Sequence, residues 1–183
     1  RDMSKAERKA VAYHESGHLI VLYRLHPTDD VFKAAIGNRD SSLGVVYHLP
    51  REEQYTHNKE MLLANIKTAL GGYVAERLIF GGNSSNGVYS DFQNATGTAH
   101  SMVWDFGMGE TGHVGSFSLL PEHQISEQLK NDLNAETSRI IKDCMDEVED
   151  LLTDQIDLLH KFASELLAKE ELEYDEIEEI VSE

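Results

Sequence analysis

His14 and His18 stand four residues apart, with Glu15 between them, in the segment Tyr13-His14-Glu15-Ser16-Gly17-His18. On a helix of 3.6 residues per turn, positions four apart differ by only about 40° around the axis. Two imidazoles so placed point the same way and can bind one metal ion. Glu15 lies about 100° from His14, beside such a metal rather than on it. A carboxylate there can take a proton from a water held at the metal, which is the chemistry of metal-assisted hydrolysis. A catalytic zinc takes three protein ligands and keeps a fourth position open, so a third ligand must come from elsewhere in the chain. The candidates are Asp91, Glu76, His100, His113 and His48. Asp91 falls in the first turn of a predicted helix, just after a flexible loop, where it can reach a site or simply oppose the helix dipole. Glu76 falls mid-helix after Gly71-Gly72, as a site carboxylate or a solvated charge. Spacing alone does not choose between them.

The elements that must carry these residues are readable in outline. Ser4-Lys5-Ala6-Glu7 has the spacing of a capping box, so a helix begins near Lys5 and stops before Pro27. Gly17 removes bulk beside the motif, where a backbone or a substrate can approach. Val31–Ile36 and Leu43–Leu49 read as short strands joined by the turn-rich stretch from Gly37 to Ser42, and Pro50 ends the second. The second strand offers an edge on which an extended peptide could pair. A helix from about His57 to Phe80 carries an apolar stripe through Met61, Ile66, Leu70 and Val74, with Gly71-Gly72 allowing close backbone approach. After a Gly- and Asn-rich loop, Ser90 and Gln93 have capping-box spacing. They predict a helix from Asp91 to Phe106, closed by Gly107. Met102, Trp104 and Phe106 read as core. The stretch Met108–Pro121 is irregular, and its His113 is a candidate donor to an oxyanion. Beyond it, helices are predicted over Ser126–Leu152 and Thr153–Ala168, the second capped by Thr153, with a short last helix from Asp175. The fold class is mainly α with a small β-sheet: the HExxH helix and sheet first, then an antiparallel helical part.

Charge divides the 183 residues unevenly. Residues 1–120 carry 13 acids and 11 bases, and residues 121–183 carry 20 acids and 5 bases, so nearly all of the net charge of −17 lies in the second segment. This suggests a catalytic part, 1–120, and an acidic helical part of the same domain, 121–183. Nucleic acid is excluded as a partner, because neutralising phosphates needs a basic face. The longest strongly apolar run, Leu19-Ile20-Val21-Leu22-Tyr23, falls far short of the ~20 residues of a membrane span. Cys144 is the lone cysteine and reads as a buried core thiol. It leaves no internal disulfide and no cysteine zinc ribbon, and it fits a reducing, intracellular compartment. No secretory signal is evident. The start at Arg1 rather than Met suggests a piece of something longer.

Five segments, in order, carry a resemblance. Ala12-Tyr13-His14-Glu15-Ser16-Gly17-His18 resembles the metal motif of the FtsH-type ATP-dependent zinc metalloproteases, peptidase family M41. The stretch from Leu70-Gly71-Gly72 through Ala75-Glu76-Arg77 to Phe80-Gly81 is similar to the family's GGxxAEExxFG. Ser90-Asp91-Phe92-Gln93-Asn94-Ala95-Thr96 is similar to its sxDlxxAT, and Met102-Val103-Trp104-Asp105-Phe106-Gly107-Met108 to its MVxxxGM. The closing LLexExL is matched at Leu166-Leu167-Ala168-Lys169-Glu170-Glu171-Leu172. Arg77 departs from the pattern, which has a second Glu there, as does the loop Asn83–Tyr89.

The resemblance implies His14, His18 and Asp91 as ligands to one Zn²⁺ per chain, Glu15 as catalytic base and Glu76 as a supporting carboxylate outside the ligand set. It further implies an endopeptidase acting on unfolded or damaged polypeptides, and assembly as a hexamer. ATP would act only through an ATPase module absent from this chain, carried in the parent chain or supplied in trans. The protein would be membrane-associated where the parent chain carries the family's upstream spans. The alternative on the same fold is a catalytically silent, metal-stabilised regulatory or interaction domain.

Overall fold

The computed structural model of the chain describes residues 3–37 and 43–183. Helix α1 spans Lys5–Leu25. The Ser4 hydroxyl accepts the Glu7 N–H and the Glu7 carboxylate accepts the Ser4 N–H, which completes the expected capping box. Such a cap contributes about 1 kcal/mol and fixes where the helix starts. Strand β1 (Asp29–Ile36) follows at once and pairs antiparallel with β2 (Gly44–Pro50), from Asp29 opposite Pro50 to Ile36 opposite Gly44. Most of the turn-rich stretch between them, residues 38–42, lies outside the described residues. Helix α2 (Lys59–Ile79) is capped by Asn58, whose side chain accepts the Met61 N–H.

Helix α3 spans Tyr89–Trp104, two residues earlier at each end than the sequence suggests. Ser90 does not cap it. A 3₁₀ turn over Asn86–Val88 runs directly into α3, so the backbone is already helical before Ser90 and no extended capping position exists there. Gly107 does close the end, with φ of 64° and the Met108 N–H reaching back to the Met102 carbonyl. Met102 is buried, but Phe106 is 56% exposed and is not core: it falls past the last helical turn and points outward. Trp104 is half-buried and stacks on His100 with ring centroids 4.6 Å apart.

Helix α4 (Glu127–Asp154) and α5 (Ile156–Lys169) meet at Gln155. Thr153 is therefore inside α4 rather than the cap of α5, because the buried stripe Cys144, Val148 and Leu152 carries that helix on for another turn. The residues after α5 form a third strand, β3 (Glu171–Glu173), which the sequence reading did not find. It pairs antiparallel with β1, Leu172 opposite Ala34, before α6 (Tyr174–Ser182) ends the chain. The sheet order is β2-β1-β3, which leaves one side of β2 as an open edge.

Two apolar clusters hold these elements. One joins Leu19 and Ile20 of α1 to Val148 of α4, Phe162 and Leu166 of α5, and Leu172 of β3. The other joins Ile66 and Leu70 of α2 to Met102 of α3 and to Leu133 and Ile140 of α4. Helix α4 contributes to both. Among the described residues no helix is long and apolar enough to cross a membrane.

Candidate metal centre

The backbones of α1 and α2 touch at glycines. A Cβ on Gly17 would run into the Gly71 carbonyl, and one on Gly71 would sit 2.7 Å from the Gly17 carbonyl oxygen. The room beside the motif therefore serves a neighbouring helix. One residue on, a Cβ on Gly72 would lie 2.5 Å from Nε2 and 2.6 Å from Nδ1 of His14. Glycine at 72 thus leaves space for the imidazole itself. This close crossing sets α2 against the inner face of α1, where His14 and His18 point.

Three side chains converge there. His14 Nε2 lies 2.9 Å from His18 Nε2 and 2.9 Å from Asp91 Oδ2, and His18 Nε2 lies 3.2 Å from the same oxygen. Among the described residues these three form the group whose ligand atoms can hold a metal ion. The far side of each ring decides its tautomer. His18 Nδ1 donates to the Thr68 carbonyl of α2 at 2.6 Å, and His14 Nδ1 donates to Glu76 Oε2 at 2.9 Å. A carbonyl and a carboxylate can only accept, so both Nδ1 atoms carry hydrogen. In the neutral rings both Nε2 atoms are then bare lone pairs, facing each other and a carboxylate oxygen. Three acceptors at about 3 Å need a positive charge among them. Two imidazoles and one carboxylate are a donor set suited to zinc.

The electrostatics agree. Burial opposes a charge on His14, but its hydrogen bonds to Asp91 and Glu76 outweigh that, and its pKa is pushed up to about 10. Burial likewise works against the charge on Asp91, yet the bonds from His14 and His18 hold its carboxyl well below the usual carboxylate range. Glu76 is 3% exposed, and its second oxygen accepts the Ser85 hydroxyl at 3.0 Å. It stands behind His14 rather than in the converging group. Arg77, which departs from the family pattern, lies next to it on the outer side of α2, with its guanidinium 5.4 Å from the Tyr73 ring. Glu15 is 7% exposed. Burial raises its pKa, opposed by the neighbouring charges of His18 and His14.

These residues floor a cleft of about 970 Å³. One wall is Leu43 with Gly44 to Val46 and His48 of β2; the others come from α2 and from the approach to α3. Gly44 packs on Glu15 so closely that a Cβ there would lie 2.6 Å from Glu15 Cγ. The open edge of β2 thus runs past the carboxylate.

Of the other expected histidines, His48 lines the cleft but pairs with Asp29, its Nδ1 2.6 Å from Oδ2. His100 packs on Trp104, and His113 Nε2 sits 3.3 Å from Asp132 of α4. Neither lines the cleft, so His113 is not an oxyanion donor here: the loop that carries it folds back on α4, where Glu136 accepts the Glu110 N–H at 2.8 Å. The sequence reading missed Thr68, Ser85, Gly44 and the role of Gly72. Thr68 acts through its backbone carbonyl, which its residue type does not reveal.

Known proteins agree with this geometry in one direction. The model of peptidase family M41 matches residues 1–180. The chain is 37% identical to the ATP-dependent zinc metalloprotease FtsH of Pelodictyon phaeoclathratiforme, over 97% of this chain and 28% of that protein. It is 37% identical to the protein of the same name in Bacillus subtilis, over 99% and 30%, and 34% identical to that of Borreliella burgdorferi, over 96% and 29%. The chain spans less than a third of the length of these curated relatives.

Proposed function

The chain belongs to peptidase family M41, and from that premise we propose that it is the protease part of a zinc-dependent endopeptidase, with His14, His18 and Asp91 as zinc ligands and Glu15 as catalytic base. The observation that carries the reading is the pair of Nε2 lone pairs facing the Asp91 carboxylate, with each tautomer fixed from behind. When bound, zinc lowers the pKa of a water and polarises the carbonyl to be attacked. Everything else is the work of the chain. The Glu15 carboxylate takes the proton of the attacking water and returns it to the departing amine. Its burial matches that task, since a raised pKa brings a carboxylate nearer to one that both accepts and gives up a proton at neutral pH. Glu76 and the Thr68 carbonyl orient the two imidazoles and raise their basicity as ligands. The open edge of β2 holds the substrate in extended form by main-chain hydrogen bonds, with Gly44 bringing its backbone onto Glu15.

The substrates on this reading are unfolded or damaged polypeptides, because an edge strand reads backbone before side chains. The parent assembly is a hexamer whose ATPase module feeds such chains to the cleft, held at a membrane where the parent carries spans. The test is Glu15→Gln with zinc content and casein cleavage both measured. Retained zinc with cleavage reduced by at least about a hundredfold is expected. Casein cleavage at the unsubstituted rate refutes the role of Glu15, and a zinc-loaded parent chain that cleaves nothing favours the silent regulatory domain.

A further inference from the structure

His26, at the C-terminal end of α1, contacts Asn65, which lines the cleft. His26 Nδ1 accepts the backbone N–H groups of Asp29 at 3.0 Å and Thr28 at 3.3 Å. Its Nε2 must therefore carry the hydrogen, which it donates to Asn65 Oδ1 at 2.9 Å. That contact fixes the amide of Asn65. Its oxygen is used by His26, and its NH₂ group, with no hydrogen-bond partner among the described residues, is left for the cleft that Asn65 lines.

His48, on β2, has its ring 6.2 Å from that of His26. Its Nδ1 donates to the Asp29 carboxylate at 2.6 Å, so in the neutral ring Nε2 is a bare acceptor. The side chain is 38% exposed and lines the same cleft. The clamp of His26, Asp29 and Thr28 shapes the turn from α1 into β1. It uses neither Nε2 of His48 nor the NH₂ of Asn65.

One donor on α2 and one acceptor on β2, both lining the cleft, complement a group that carries both. Among side chains that group is the primary amide, whose C=O accepts from Asn65 and whose NH₂ donates to His48. A carboxylate satisfies Asn65 but turns lone pairs toward His48 Nε2, and an apolar side chain satisfies neither. Strand geometry says where such a residue would lie. Gly44, Val46 and His48 share one face of β2, and His48 is about 13 Å along the strand from Gly44, beside Glu15. A peptide on the open edge places one residue directly opposite His48, with Cβ atoms about 5 Å apart. That residue is about four removed from the bond at the level of Glu15.

Resting on the peptidase reading above, we infer that His48 and Asn65 form a subsite selecting a Gln or Asn side chain of the substrate about four residues from the scissile bond. The probes are synthetic peptides of one sequence with one cleavable bond, carrying Gln, Leu or Glu at the fourth residue on each side in turn. They are assayed with the zinc-loaded chain at about pH 8. On one side, kcat/KM for the Gln peptide is expected to exceed that for the Leu peptide about tenfold, and to exceed that for the Glu peptide. His48→Phe removes the acceptor. Asn65→Asp keeps an oxygen for His26 and removes the donor. Each is expected to bring the Gln-to-Leu ratio to about one.

Fluorescence anisotropy of the same peptides on zinc-loaded Glu15→Gln reads the preference without turnover. Cleavage with no Gln preference on either side, a Glu peptide that outruns the Gln peptide, or a ratio unmoved by both variants overturns the subsite and leaves the peptidase reading standing. Gln-selective binding without cleavage by the parent chain does the reverse, and neither cleavage nor selective binding overturns both.

Discussion

Gly72→Ala separates the fold from the metal centre. The new Cβ would lie 2.5 Å from His14 Nε2 and 2.6 Å from Nδ1, where an ordinary contact begins near 3.4 Å. Backbone of α2 cannot retreat, because the adjacent Gly71 is already against Gly17. The imidazole must therefore move by roughly 0.9 Å, several times the ~0.2 Å by which metal–ligand distances vary. Loss of the Glu76 contact behind it follows. A displaced ligand with its outer partner lost should weaken zinc by about 100-fold, or about 2.7 kcal/mol. Helix propensity works the other way, since alanine in a helix interior gains up to about 1 kcal/mol over glycine. Zinc competition against a fluorescent chelator reads the first effect, and urea denaturation of the metal-free chain reads the second. Gly97→Ala is the control: its Cβ meets nothing within 4 Å, so it should keep zinc affinity and gain stability. Unchanged zinc affinity in Gly72→Ala would refute the claim that this glycine exists to seat His14.

Gly17→Ala should destabilise the chain by about 3 kcal/mol or more, because overpacking here strikes backbone rather than a side chain that can turn aside; a urea midpoint equal to that of the parent sinks the account of the helix crossing. Glu76→Gln keeps an acceptor for His14 but removes its charge, so zinc affinity should fall by about tenfold with the fold intact, as chelator competition and circular dichroism would show. Cys144 is 2% exposed, and burial pushes its thiol up to about 11. A raised folded-state value favours the protonated form, so the stability from this group is whole below the ordinary thiol range and drains away as pH rises toward 11. At about pH 8 a thiol-reactive dye should label the unfolded chain readily and the native chain scarcely at all; fast native labelling contradicts it.

How much of this was legible depends on where the information is stored. The start of α1 is written in two side chains three positions apart, Ser4 and Glu7, and the fold uses them as the spacing suggests. The pairing of His14 and His18 follows from helix geometry alone. The choice between Asp91 and Glu76 does not. Both carboxylates reach His14, one on Nε2 and one on Nδ1, and which nitrogen each meets depends on the crossing of α1 with α2 and on the turn ahead of α3. Ser90 and Thr153 have capping chemistry but sit where the backbone is already helical, so local preference lost to neighbouring structure. Strand β3 is three residues long and exists because β1 offers it a partner more than a hundred residues away. Thr68 was invisible because any residue there presents the same carbonyl.

The meeting of Gly17 with Gly71 has a consequence for anyone wishing to retune the centre. The bite of the two imidazoles is inherited from a spot that owns no side chain, so there is nothing there to trim, lengthen or swap. A methyl at either place forces both rods apart and carries the histidines with them, and no replacement on the other rod can take up the slack. Adjustments to affinity must come instead from the rear support of the His14 ring, Glu76, whose side chain can be exchanged one atom at a time.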